Sequence, residues 1–565
     1  MTMTPFDTPT PPPQDGETTT ETFAQADAGD WWRGAVIYQI YPRSFRDTNG
    51  DGIGDLAGIA EKLDYIAALG VDAIWLSPFF PSPMKDFGYD VSDYCDVDAM
   101  FGTLESFDKL VAGAHEQGLR VLIDLVLSHT SDQHPWFKES RTRRDNPKAD
   151  WYVWADAKVD GTPPNNWLSI FGGSAWAWDS GRRQYYLHNF LDSQPDLNFH
   201  NEEVQQALLD TARFWLDRGV DGFRLDTVNM YTHDAALRDN PPLPAGKQLN
   251  GVPESNPYAC QEPVHNINRP ENLGFIERLR AVTDAYGATT TVGELGVVTD
   301  MYAAIAEYTA PGRLHMAYSF DLMTTEISAG RVRWIGERMR AQGLQSWPNW
   351  ALSNHDVERV MTRWGLHDAH EAAPVLVAMV TSLRGSACLY QGEELGLPEA
   401  ELSFEDLQDP YGIRFWPDFK GRDGARTPMP WTDSPDLGFS LGRPWLPAPP
   451  AHQAFAVSRQ DADAQSPLNR ARRFLSWRKS VPVLLTGDIA FHDAPEPALV
   501  FRREDGADRV LCAFNLGAKA LSLDLHDWMA GTAPEHLEAG GFEGCSSLAG
   551  TTLTLEGWGA AYVRY

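Results

Sequence analysis

Cysteine is scarce in this chain: five residues in 565 (Cys95, Cys260, Cys388, Cys512 and Cys545), an odd number with no pair at metal-ligand spacing. The scatter excludes a disulfide framework and a cysteine metal knuckle, and free thiols fit a reducing compartment. Basic residues are also short, 47 Lys and Arg against 78 Asp and Glu, for a net charge of −31. Nucleic acids and anionic membranes both demand basic patches, so neither is an expected partner. The acidic balance serves solubility. No apolar run reaches the length of about 18 residues that a spanning helix requires. Residues 1–30 lack any Lys or Arg and any apolar run, and are rich in Thr and Pro. They do not read as a secretory signal but as a disordered tail. The expected location is the cytoplasm.

Apolar residues make up 43% of the chain, and there are 20 Trp, 18 Tyr and 26 Phe. That supports a large core, with aromatic rings to spare for flat platforms. From Trp31 short apolar runs alternate with amphipathic segments. The pattern predicts strands at Ala35–Tyr41, Ala73–Leu76, Arg120–Leu127, Phe223–Thr227, Thr289–Gly293 and Ala387–Tyr390, with extended segments at His315–Phe320 and Trp350–Ser353. Helices are predicted at Ile59–Leu69, Leu104–Gln117, Glu202–Arg218, Phe275–Ala285, Met301–Thr309, Val332–Ala341, Ala373–Leu383 and Leu468–Ser480. Eight strand–helix pairs give an α/β fold, a (β/α)₈ barrel over residues 31–129 and 201–487. Residues 130–200, rich in Trp, Gly, Asn, Asp and Pro, are too long for a loop and read as a subdomain inserted after strand three. Alternating runs after residue 488, such as Ala498–Arg502, Arg509–Phe514 and Thr552–Leu555, predict a C-terminal antiparallel β-sandwich over 488–565.

Three predicted strands end in a carboxylate: Gly222-Phe-Arg224-Leu-Asp226-Thr227, Gly293-Glu294 and Asn354-His355-Asp356. Active sites of such barrels lie at the strand C-termini. Asp226, Glu294 and Asp356 are therefore expected at one mouth, where three acids suit nucleophilic and acid/base work on a glycosidic bond. Arg224, two residues before Asp226, shares its face of the strand and can keep it ionised and aimed.

These motifs, in order with Asp124-Leu-Val-Leu-Ser-His129, make the chain resemble the α-amylase superfamily, glycoside hydrolase family 13, over nearly everything from Trp31 onward. Within it the chain is similar to the α-glucosidase and oligo-1,6-glucosidase group, whose oligo-1,6 members carry a motif like Gln194-Pro-Asp-Leu-Asn198. The resemblance implies Asp226 as nucleophile, Glu294 as general acid and base, and Asp356 as the carboxylate that holds sugar hydroxyls and steadies an oxocarbenium-like transition state. It implies His129 and His355 as donors to sugar hydroxyls, with Asp124 supporting the site. Asp86 would bind the 4-hydroxyl of the terminal glucose and Tyr89 would stack on its ring. Arg426 would pair with Asp86 and close the pocket, enforcing exo action. Phe171, Phe190 and Gln194 would form the wall toward the leaving group. Thr227, where α-1,6-preferring relatives tend to carry Val, implies α-1,4 preference.

Asp47-Thr-Asn49-Gly-Asp51-Gly52-Ile53-Gly-Asp55 places oxygens at alternate positions, counting the backbone of Ile53, with Gly52 at the sixth, but no Glu at the twelfth. It resembles the family's single structural Ca²⁺ or Mg²⁺ site. No organic cofactor is expected. The implied activity is a retaining, exo-acting α-glucosidase on short substrates such as maltose, with transfer of glucose to sugar or alcohol acceptors. An oligo-1,6-glucosidase, a sucrose- or trehalose-acting hydrolase, and an isomerase of the same family share the machinery. Monomer and homodimer both remain open.

Overall fold

The computed structural model describes residues 28–565 except 247, 248, 250, 251, 253, 254, 299, 325 and 327. The tail expected over residues 1–30 lies outside the described residues as far as residue 27. Ala28–Asp30 forms one 3₁₀ turn leading into the first strand.

Eight strands build the barrel: β1 (Val36–Ile40), β2 (Ala73–Leu76), β3 (Arg120–Leu125), β4 (Gly222–Leu225), β5 (Thr290–Glu294), β6 (Met316–Tyr318), β7 (Asn349–Ala351) and β8 (Ser386–Tyr390). All neighbours pair in parallel, in the order β7-β8-β1-β2-β3-β4-β5-β6. A parallel bridge from Ala317 to Pro348 brings the last strand back to the first. The strands are buried on both faces, which is why they read as continuous apolar runs. Ile37, Trp75, Leu122, Val292, Met316 and Cys388 fill the interior.

The outer helices start where their sequences supply caps. Thr103 and Ser106 form a capping box before Leu104–Glu116, and Asn201, Ser328 and Ser466 cap Glu202–Leu216, Ala329–Arg340 and Pro467–Lys479. The single helix expected at Ile59–Leu69 is two, Leu56–Ala60 and Leu63–Leu69, separated at Lys62, because Asp55 caps the first one early.

The insert holds a three-stranded antiparallel sheet of Trp154–Ala155, Gln184–Leu187 and Trp176–Asp179 around its own core of Trp167, Trp176 and Leu187. Parts of the proline-containing loop that follows β4, at Arg238, Asn240 and Asn266, clip onto it. Trp167 Nε1 donates to the Arg238 carbonyl (2.8 Å), Asn166 Nδ2 to the Asn240 carbonyl (2.9 Å) and Asn266 Nδ2 to Asn189 Oδ1 (2.8 Å). Asparagine side chains thus replace a strand ladder, and they leave no periodicity to read.

After residue 487 a five-stranded sheet (Asp488–His492, Ala498–Asp505, Asp508–Asn515, Ala560–Arg564, His536–Glu538) and a three-stranded one (Leu521–Asp524, Thr552–Leu555, Ser546–Ala549) follow. Buried Arg503 docks the first of these on the barrel, donating to the carbonyls of Ser382, Leu383, Leu484 and Gly487. Among the described residues, no helix is long and apolar enough to cross a membrane.

Candidate active site

Asp226 follows β4, Glu294 ends β5, and Asp356 lies five residues past β7. A cavity of about 670 Å³ opens at this end of the barrel. Asp86, Tyr89, His129, Phe171, Phe190, Asp226, Thr227, Glu294 and Asp356 all line it. Arg224, Gln194, His355 and Arg426 stand behind these residues and bond to them.

Arg224, 1% exposed, organises the carboxylates of Asp226 and Glu294. Its Nη1 lies 2.7 Å from Asp226 Oδ1 and 2.9 Å from Asp124 Oδ1, while Nη2 lies 2.6 Å from Glu294 Oε2. Tyr318 Oη accepts from its Nε and Nη2 at 3.1 and 2.8 Å. One cation thus serves three buried carboxylates, which cannot all shed their protons cheaply. Burial pushes Glu294 up to about 7 against the pull of Arg224, with the charges of Asp226 and Asp356 adding to the rise. Burial likewise raises Asp226 to about 7 and Asp124 to about 6, again opposed by Arg224. Both carboxyls of the pair Asp226–Glu294 are thus raised by burial while sharing one guanidinium.

Local sequence explains the placement. A Cβ on Gly293 would meet Leu314 Cδ1 at 2.4 Å and Val228 Cγ1 at 3.0 Å, so any larger residue here makes those side chains move. Thr227 takes the left-handed conformation (φ 41°, ψ 48°), costing a β-branched residue roughly 1–3 kcal/mol. That turn aims its N–H at Glu294 Oε2 (3.1 Å), while its hydroxyl faces Asp226 Oδ2 (3.3 Å).

The far end of the cavity is closed by charge. Arg422 Nη2 bonds Asp86 Oδ1 (2.8 Å) and Asp409 Oδ1 (2.7 Å), and its Nη1 reaches Asp356 Oδ1 (3.2 Å). The expected pairing of Asp86 with Arg426 is therefore corrected: Arg426 turns to Asp356 Oδ1 (2.9 Å) and the His355 carbonyl (2.7 Å). The reason is local. Arg426 ends a 3₁₀ turn, Asp423–Arg426, that points it behind Asp356, whereas Arg422 precedes that turn and faces the cavity. Burial lifts Asp86 to about 6 despite Arg422. Burial would raise Asp356 too, but His355, Arg422, Arg426 and Arg224 together hold it well below the usual carboxylate range.

Asp86 and Tyr89 sit on a tight turn closed by the Tyr89 N–H on the Asp86 carbonyl (3.0 Å), with Phe87 and Gly88 both at positive φ (50° and 108°). Tyr89 Oη donates to Asp124 Oδ2 (3.0 Å) and its ring stacks on His355 at 5.4 Å. Gln39 Nε2 donates to His355 Nδ1 (2.7 Å), so His355 Nε2–H points at Tyr89 Oη (2.6 Å). His129 Nε2–H is directed at the Tyr89 carbonyl (2.9 Å), a bond that a sugar hydroxyl reaching His129 has to contest. Gln194 Nε2 donates to Asp86 Oδ2 (3.1 Å), tying the insert to the closed end. Phe171 stacks on Tyr411 (4.9 Å) and meets Phe190 edge-on (5.8 Å). Met230, Val297, Phe320 and Met323 add apolar lining, and a Cβ on Gly296 would meet Phe320 and Met230 at 3.8 and 3.9 Å.

Sequence reasoning missed Arg422, Asp409, Tyr318 and Tyr411. Arg422 and Asp409 lie in a loop with no motif, and only their charges could have drawn notice.

In the Asp47–Asp55 loop the side-chain oxygens accept from the loop itself. Asp47 Oδ1 takes the N–H groups of Asn49 and Gly50, Asp47 Oδ2 that of Gly52, and Asp51 Oδ1 that of Ile53. Asp55 caps the next helix through Gly58 N. Among the described residues, no three His, Cys, Asp or Glu side chains are grouped to hold a metal.

Residues 39–487 match the family model described as the alpha amylase catalytic domain. A probable alpha-glucosidase of Rhizobium meliloti is 56% identical over 542 residues, 95% of this chain and 97% of that protein. An oligo-1,6-glucosidase of Heyndrickxia coagulans is 38% identical over 537 residues, 88% of this chain and 94% of that one. The crystal structure of an alpha-glucosyl transfer enzyme, XgtA, superposes with a TM-score of 0.91 at 59% identity, covering 94% of this chain and 99% of that one.

Proposed function

The chain belongs to the α-amylase family of glycoside hydrolases (family 13), with relatives of the α-glucosidase kind, and from that premise we propose that it is a retaining, exo-acting α-glucosidase that prefers α-1,4-linked maltose-like substrates and also transfers glucose to alcohols or sugars. The observation that carries the reading is the single guanidinium of Arg224 held between Asp226 and Glu294. Two carboxyls spanned by one planar fork fit the separation of about 5–5.5 Å of a retaining pair rather than the roughly 6.5–9.5 Å of an inverting one. Glu294 protonates the departing oxygen while Asp226 attacks the anomeric carbon. The C1–O bond to the leaving group breaks, an ester to Asp226 forms, and the Glu294 proton goes to the aglycone. Glu294, now ionised, takes a proton from the incoming water or alcohol, whose oxygen displaces Asp226 with net retention.

The Arg422–Asp86–Asp409 closure supports exo action, because a chain cannot extend past it. The Thr227 hydroxyl beside Asp226 supports α-1,4 preference. The apolar lining of Met230, Val297, Phe320 and Met323 supports alcohol acceptors, which need fewer hydrogen bonds than a second hexose. Transfer is further supported by the likeness to XgtA, an alpha-glucosyl transfer enzyme. The test is product analysis on maltose, isomaltose, sucrose, trehalose and reducing-end-labelled maltotriose. Maltose is expected to be cleaved fastest, with glucose leaving maltotriose only from the unlabelled end. Isomaltose ahead of maltose overturns the linkage assignment, and labelled glucose as a first product overturns exo action.

One structural Ca²⁺ or Mg²⁺ in the Asp47–Asp55 loop remains a proposal carried by oxygen spacing alone, and no catalytic step is routed through it. If it binds, Asp47, Asn49, Asp51, the Ile53 carbonyl and Asp55 hold it. Elemental analysis is then expected to find one divalent ion per chain, and chelation to lower the melting temperature. An ion-free protein whose stability ignores chelator removes the proposal.

A further inference from the structure

Asn229 lies three residues past the nucleophile, 1% exposed and outside the cavity lining. Its side chain makes a reciprocal pair of bonds with Gly296, two residues past the acid: Nδ2 donates to the Gly296 carbonyl (2.8 Å) and Oδ1 accepts the Gly296 N–H (3.4 Å). The same Nδ2 reaches Asn268 Oδ1 (2.6 Å), the Asn229 carbonyl accepts the Asn268 N–H (2.8 Å), and Asn268 Nδ2 donates to the Val297 carbonyl (2.8 Å). Three stretches of chain meet here, and each contributes one non-glycine residue at positive φ: Thr227 (41°), Asn268 (59°) and Val297 (54°). Two of the three are β-branched, the residue type least able to hold that conformation unaided. Strained residues of this kind persist only where their surroundings over-determine them, and here the asparagine knot supplies the constraint.

We propose that Asn229 is a positioning residue: by lashing the loop after β4 to the loop after β5 it holds Thr227 in its left-handed turn, and so keeps the Thr227 N–H on Glu294 Oε2. The proposal rests on the reading of Glu294 as the general acid. Around Glu294 stand Arg224 and Asp226 from β4 and its exit, Asp124 from β3, Tyr318 from β6 and Asp356 beyond β7. None of these touches Asn229 through a bond described above. The bond from the Thr227 N–H is the hydrogen bond to Glu294 whose donor sits on the turn that the knot holds. It favours the ionised acid, so its loss makes Glu294 hold its proton to higher pH.

The test is the pH dependence of kcat/KM for Asn229→Ala on maltose. The basic limb is expected to move up by roughly half to one pH unit and kcat to fall about tenfold, with KM changed by no more than about twofold. A residue that merely stabilised the fold would lower the melting temperature without moving that limb. Glycine holds positive φ without help. In Thr227→Gly, adding Asn229→Ala is therefore expected to shift the limb much less than it does in the parent, a non-additivity that reports coupling. Should Asn229→Ala fail to fold, Asn268→Ala loosens the same knot from its edge and is expected to shift the limb in the same direction by less. An unmoved limb in the foldable variant, or full additivity with Thr227→Gly, overturns the proposal. Undiminished maltose hydrolysis by Glu294→Gln instead overturns the assignment of the acid on which it rests.

Discussion

Asp226→Asn is expected to lower turnover on maltose by on the order of 10⁴- to 10⁶-fold, the scale seen when a group acting as part of a catalytic unit is removed. An amide cannot form the glycosyl ester, while Arg224 keeps Asp124 and Glu294 as partners, so the fold should survive. Stability carries a second signature. Burial raises the Asp226 carboxyl in the folded chain from its ordinary 3.8 to about 7. A raised acid favours folding fully below its unfolded value, and that contribution is lost as pH climbs through the folded one. Asparagine stays neutral throughout. The variant is expected to melt at or above the wild type at pH 8, with the difference fading toward pH 4. Calorimetry across that range, beside steady-state kinetics, checks both. Near-wild-type turnover would falsify the nucleophile assignment. Stereochemistry sharpens it: Asp226→Gly with azide and α-glucosyl fluoride is expected to yield β-glucosyl azide, because the external anion attacks once, with inversion.

The second large effect is Glu294→Ala. Loss of a positioned acid costs about 10²- to 10⁴-fold, and here the cost should depend on the leaving group. Maltose, whose departing alkoxide needs the proton, should lose the full factor. A nitrophenyl glucoside should still transfer its glucose to Asp226 and then stall as the ester. Azide needs no general base, so it should release that ester as α-glucosyl azide, with two inversions. The basic limb of the pH profile, set by a carboxyl raised to about 7 by burial, should vanish with the residue. β-Glucosyl azide from this variant, or equal losses on both substrates, would mean that the roles of Asp226 and Glu294 are misassigned.

The barrel and the gathering of Asp226, Glu294 and Asp356 at one cavity were legible because each has a local cause. β3 reads as a buried strand on its own, and Gly293-Glu294 marks a strand end where a glycine packs tightly against Leu314 and an acid follows. What stayed hidden depends on meetings between distant stretches. Arg422 finds Asp86 across 336 positions, and nothing in the neighbourhood of either marks the other. The analogous motif residue Arg426 was the natural choice, and it failed because the direction of one short turn decides which guanidinium faces the cavity. The docking of Asn240 and Asn266 on the insert stays hidden for another reason: bonds made by asparagine side chains leave no repeat for periodicity to detect.

The cavity has two ends made from separate parts of the polymer. Asp86, Gln194 and Arg422 meet at one end, which on the proposed function grips the glucosyl unit, while Met230, Val297, Phe320 and Met323 come from the stretches after β4, β5 and β6. On the proposed function, donor choice and acceptor choice therefore fall to different parts of the polymer, and substitutions at the apolar residues are expected to change what receives the sugar without disturbing the ion pairs at the other end.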